Sequence, residues 1–103
     1  MKIDLEKIKE LYGEQTLYQI KDNMENVTSN ISFLMSLGFN DAFYIFESDP
    51  YMFLDNPSVF KDKVNNLINK LGPRYIEKLD NDISLWGDLD DWWYWIKKNI
   101  KRL

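Results

Sequence analysis

The sequence predicts an all-α fold, and three observations carry that prediction. Apolar residues recur at spacings of three and four, as in Leu17, Ile20, Met24, Val27, Ile31, Leu34 and Leu37, which is the period of a helix with one buried face. Helix punctuation falls between these series. Gly13, Gly38 and Gly72 stand where an apolar stripe stops, and Pro50 and Pro57 each follow a capping residue, Asp49 and Asn56. No strand pattern competes, because the apolar run Phe43 to Phe46 is short and lies between helix signals. With 103 residues, the chain is read as a single helical domain, 1–103. Two arrangements stay open: a small helical bundle, or two short stacked helical repeats with flanking helices.

The first helix is expected from Ile3 to Tyr12, with Leu5, Ile8, Leu11 and Tyr12 on one face, Asp4 at its positive end and Gly13 as its stop. The following apolar series starts near Thr16 as a cap and ends at Gly38. The polar stretch Asn23 to Asn30 is the place where it would divide in two. Asn40 is the next expected N-cap, with Phe39 stapling against Tyr44. That helix must end near Ser48, since the residue before Pro50 is pushed out of the α region. Asp49 to Leu54 reads as one capped turn. The stripe Phe60, Val64, Leu67, Ile68 and Leu71 then forms a helix closed by Gly72, and Pro73 opens a short helix through Leu79. After a turn at Asp82 to Trp86, the acids Asp88, Asp90 and Asp91 lead into a last helix that ends in Lys97, Lys98, Lys101 and Arg102. Acids first and bases last both suit the helix dipole.

Two stretches repeat one pattern. Phe33 to Gly38 matches Leu67 to Gly72 at an offset of 34, and Asp49 to Phe53 matches Asp82 to Trp86 at an offset of 33. Repeats of this length mark stacked helical units. Over residues 26–89 this grammar resembles the repeat of the mitochondrial transcription termination factor family. The resemblance implies two helices and a short 3₁₀ turn per unit, with Leu-Gly between the helices, and it implies nucleic-acid binding. The chain departs from that family in being much shorter, in lacking a targeting peptide and in being acidic. Ile83 also stands where the first unit has Pro50.

Composition narrows the function. There is no Cys and no His, which removes disulfides, Cys/His zinc sites and Cys or His nucleophile–base pairs. The four glycines are scattered, so no Gly-rich phosphate loop exists. No apolar run approaches the roughly 20 residues that span a bilayer, and the first twelve residues are not a signal peptide. The expectation is a cytoplasmic, non-enzymatic protein without cofactor or membrane contact. The two Asn-X-Ser/Thr triplets at Asn26 and Asn30 then carry no meaning for glycosylation.

Four sets of residues are candidates for binding. All four Trp lie at positions 86 to 95, with Trp92 and Trp93 on the apolar face of the last helix, Tyr94 pointing away and Trp95 at its edge. Tyr94 and Trp95, beside Lys97 and Lys98, suit a protein interface. Lys63, Lys70, Arg74 and Lys78 could border one surface that suits phosphates, although a solvated face is the usual explanation for such a set. Asp80, Asp82, Ser84, Asp88 and Asp91 have the spacing of a twelve-residue calcium loop, but Leu85 replaces the glycine at its sharp turn and Asp91 the usual glutamate. Helix capping accounts for the same acids. Finally, Asp22 to Phe60 holds six acids and no Lys or Arg, a stretch able to meet a basic partner. The resulting expectation is protein–protein recognition in a regulatory or inhibitory role. Nucleic-acid binding is second and a calcium response third, and a homodimer is left open.

Overall fold

The computed structural model describes residues 3–90. Every regular element among them is helical: α1 Leu5–Tyr12, α2 Glu14–Asp22, α3 Met24–Leu37, α4 Ala42–Ser48, a 3₁₀ helix Pro50–Phe53, α5 Pro57–Leu71, α6 Tyr75–Asn81 and a second 3₁₀ helix Ile83–Asp90. The fold is all-α, as the periodicity predicts. The chain forms two units, Met1–Lys61 and Asp62–Leu103, whose boundary falls within α5. The expected last helix lies outside the described residues.

The punctuation does what its chemistry requires. The Asp4 carboxylate accepts from the Lys7 amide and caps α1. Gly38 ends α3 at φ 108°, with the amides of Gly38 and Phe39 closing back on the Met35 and Leu34 carbonyls. That paired closure needs a left-handed residue, which glycine adopts without strain. The Asn56 side chain accepts from both the amide and the hydroxyl of Ser58 at the start of α5.

Four boundaries differ from the sequence expectation. The helix α1 starts at Leu5, because Asp4 is its cap. Thr16 caps nothing. It lies inside α2, which begins at Glu14 directly after Gly13 turns the chain at φ 95°. Asp41 rather than Asn40 occupies the N-cap of α4, and Tyr44 stays 60% exposed. Pro73 and Arg74 form a turn in which the Tyr75 amide reaches the Gly72 carbonyl, and α6 starts only at Tyr75.

The first unit is organised around Phe53. Its ring meets Phe46 edge-on at 5.4 Å and Phe60 at 5.2 Å, and Phe60 in turn meets Phe33 at 6.4 Å. Such ring pairs add to plain apolar burial. Ile8, Ile20, Val27, Ile31, Leu34, Phe39 and Ile45 are buried in the same unit. Asn30 is fully buried and donates from Nδ2 to the carbonyls of Phe53 and Asp55, at 3.0 and 2.9 Å. These bonds fasten the 3₁₀ segment to α3.

In the second unit, Val64, Leu67, Leu79 and Trp86 are buried, and Lys78 Nζ donates to the Leu71 carbonyl at the end of α5. Cations there also favour the negative end of the helix.

The element order α3, α4, 3₁₀ is repeated by α5, α6, 3₁₀, and each second element begins 33 residues after its counterpart. Buried positions obey the same offset: Val27 with Phe60, Ile31 with Val64, Leu34 with Leu67, Phe46 with Leu79 and Phe53 with Trp86. The offset of 34 between Gly38 and Gly72 reflects one extra residue in α5, recovered in the turn that follows. Asn30 has Lys63 as its counterpart, so the amide clamp belongs to the first copy.

Phe53→Ala should remove the centre of the aromatic row and destabilise the protein by about 3–5 kcal/mol, in the range for a large buried ring. Urea unfolding followed by far-UV circular dichroism measures it.

Candidate recognition surface

A candidate surface lies in the first unit, where α1, α2, α4 and the first 3₁₀ helix each supply a part. Tyr12, at the end of α1, donates its hydroxyl to the carbonyls of Glu47 and Ser48 at the end of α4. Those carbonyls belong to the last turn of a helix, where intrahelical donors run out. Tyr51, in the 3₁₀ helix, pairs its hydroxyl with that of Thr16 in α2, and the Thr16 hydroxyl also lies 3.5 Å from the Tyr12 carbonyl. Both phenols are therefore tied down at the polar tip, while half of Tyr51 and over a third of Tyr12 stay exposed. Tyr44 lies one turn before Ser48 on α4, whose hydroxyl donates to the Tyr44 carbonyl.

The charges around these rings are mostly acidic. Glu47 pairs with Lys7 of α1 at 2.8 Å. Leu11, one helical turn beyond Lys7, is 57% exposed. Asp49 stands at the N-cap of the 3₁₀ helix, yet its side chain makes no cap bond, and Asp41 is in the same situation before α4. The repeat supplies the contrast. Asp82, the counterpart of Asp49, caps its helix by accepting from the amide and hydroxyl of Ser84. Where the second copy has Ser84, the first has Tyr51, whose phenol goes to Thr16 instead.

Burial is the main cause raising the pKa of the Tyr12 phenol, and the charges of Asp49 and Glu47 add to it. The Lys7 ammonium is raised as well, first through its hydrogen bond with Glu47.

The residues singled out in the sequence are placed as follows. Tyr94, Trp95, Lys97 and Lys98 lie outside the described residues. Lys70, Arg74 and Lys78 are exposed and Lys63 half-buried, but these cations have local work. Lys78 serves the Leu71 carbonyl, and Arg74 approaches Glu77 at 4.0 Å, while Lys63 and Lys70 are each engaged in contacts of their own. An open depression beside α6 is lined by Pro73, Arg74, Tyr75, Glu77 and Asp80 among others, a mixture of both charge signs. Of the calcium-loop set, Asp80 belongs to α6, Asp82 caps, and residues 83–90 form a 3₁₀ helix rather than an open loop. Among the described residues no three acidic side chains are placed to hold a metal ion, and Asp91 lies outside them.

The tyrosine surface was not legible in advance. Tyr12 and Leu11 share the apolar stripe of α1 with Ile8, yet only Ile8 is buried, because the stripe continues past the edge of the core. The stretch free of Lys and Arg contains Tyr44 and Tyr51 but leaves out Leu11 and Tyr12. No family model, curated protein or solved structure matches the chain.

A raised phenol pKa fixes the sign of an alkaline effect. The unfolded chain loses its Tyr12 proton first, near the ordinary value of about 10. The contribution to stability is therefore complete below that pH and is lost as pH rises through the folded value. Lys7 acts in the same direction. Urea midpoints should fall as the solution is taken above the ordinary phenol range, and Tyr12→Phe should make that fall shallower. At neutral pH the same variant should be about 0.5–1.5 kcal/mol less stable through its lost hydrogen bonds.

Proposed function

We propose that the protein is a non-enzymatic binding protein whose task is protein–protein recognition in a regulatory or inhibitory role. The observation that carries this reading is the pair Tyr12 and Tyr51, each partly exposed and anchored at the hydroxyl. Exposed tyrosines held in place offer large contact area with little further entropy to lose on binding. Aromatic rings of this kind are frequent centres of interface energy. Tyr44 and Leu11 are further exposed apolar residues of the elements that carry this pair, and Glu47 and Asp49 set polar groups beside Tyr12. The aromatics Tyr94 and Trp95 with Lys97 and Lys98 are a second contact region suggested by sequence alone.

Nucleic-acid binding is the second reading. Its support is the repeated α–α–3₁₀ order and the cations of α5 and α6. It is the weaker reading because Lys78 and Arg74 already have partners within the chain, and the overall charge of −4 opposes phosphate binding.

Tyr44→Ala and Tyr51→Ala should each leave the helical circular dichroism spectrum in place and remove a protein partner that the wild type retains after nuclease treatment. Partner retention by both variants, or recovery of nucleic acid with loss of co-purifying protein after nuclease, would count against the reading.

A further inference from the structure

We infer that the occupant of the tyrosine surface is a cationic segment of a partner protein, rich in arginine or lysine. The inference rests on the recognition reading and adds the chemistry of the partner. Three observations support it. Asp49 is exposed and holds an N-cap position, yet among the described residues its carboxylate makes no cap bond. Asp49 and Glu47 are close enough to Tyr12 for their charge to act on its phenol, so aromatic ring and negative charge coincide. Glu47 and Asp49 belong to a stretch, Asp22 to Phe60, that has no Lys or Arg of its own, and the one cation paired with Glu47 comes from α1.

The ring and charge geometry suits arginine in particular. With the hydroxyls of Tyr12 and Tyr51 committed inward, the faces and edges of the rings are what a partner meets, and a guanidinium stacks on such a face while pairing with a neighbouring carboxylate. The chain already contains a smaller case of a cation over a ring, with Lys61 Nζ 5.5 Å from the centre of Phe33. The same charge argument disfavours two alternatives. Two copies meeting through this face would bring like charges together, and nucleic acid would meet carboxylates.

The test uses the full chain and a defined probe: a fluorescent peptide with four arginines separated by Gly and Ser, beside the same peptide with glutamine for each arginine. Binding is read by anisotropy, and its location by amide and tyrosine ring shifts. The arginine peptide should bind in a salt-sensitive way, shift the signals of Tyr12, Tyr44 and Tyr51, and leave the glutamine peptide unbound. Asp49→Asn should weaken it about 3- to 10-fold, as expected for a charge contact at an interface rim, and Glu25→Gln should not. Equal binding of both peptides, shifts confined to other residues, or an Asp49→Asn variant that binds as the wild type does would overturn the inference. So would salt-sensitive self-association abolished by Asp49→Asn, which would make a second copy the occupant. If Tyr44→Ala and Tyr51→Ala lose the native protein partner while the wild type ignores the arginine peptide, the recognition reading stands and the cationic partner falls.

Discussion

The first unit depends on a single buried amide. Asn30 sits in the middle of α3, an all but apolar setting, and its Nδ2 donates to the carbonyls of both Phe53 and Asp55. Two carbonyl acceptors settle which way the amide points, since only the nitrogen can donate. Oδ1 is buried and accepts nothing among the described residues. Burying an amide half-satisfied is costly, so what keeps asparagine there is the pair of bonds from Nδ2. Those bonds hold a short segment that could not hold itself, because 3₁₀ helices have poor hydrogen-bond geometry and run only a few residues.

From that clamp the remaining features follow in order. Fixing the Phe53 carbonyl fixes the Phe53 ring between Phe46 and Phe60. The same short helix turns Met52 and Phe53 inward and leaves Tyr51 on the outside, where its hydroxyl finds Thr16. Tyr12 reaches the end of α4 just before this segment. Core and surface are thus two sides of one four-residue element. The second copy of the repeat reproduces the inward side through Trp86 but places Lys63 where the first has Asn30, and Ser84 where the first has Tyr51. The repeat explains the architecture, and the departures from it make the first unit's surface distinctive.

Much of the fold could be read from residues acting locally. Gly13, Gly38 and Gly72 stop helices, Pro50 and Pro57 start them, and the stripe from Leu17 to Leu37 is helical on both sides of a break at Asn23. These signals depend on backbone sterics within a few residues. The misreadings share a different origin. Thr16 looked like a cap because threonine caps often, but a tyrosine 35 residues away claims its hydroxyl. Tyr12 looked like core because periodicity identifies a face without saying where burial along that face ends. Asn30 reads only as the end of a polar stretch in which the helix would divide, and its value lies in carbonyls 23 and 25 residues distant. Contacts of that range are invisible to spacing rules. The repeat was legible at offsets of 34 and 33, and the burial pattern shows that 33 holds across both helices and the 3₁₀ turn.

The most direct test of this account is an NMR comparison of wild type with Asn30→Ala, combining amide hydrogen exchange with tyrosine ring shifts. Loss of the two buried bonds should destabilise the protein by roughly 1–3 kcal/mol and accelerate exchange first in the segment from Pro50 to Asp55. The Tyr51 and Tyr12 ring signals should move with it, although neither ring touches Asn30 in the bonds described. Faster exchange confined to α3, with both tyrosine signals unmoved, would contradict the claim that this amide holds core and surface together.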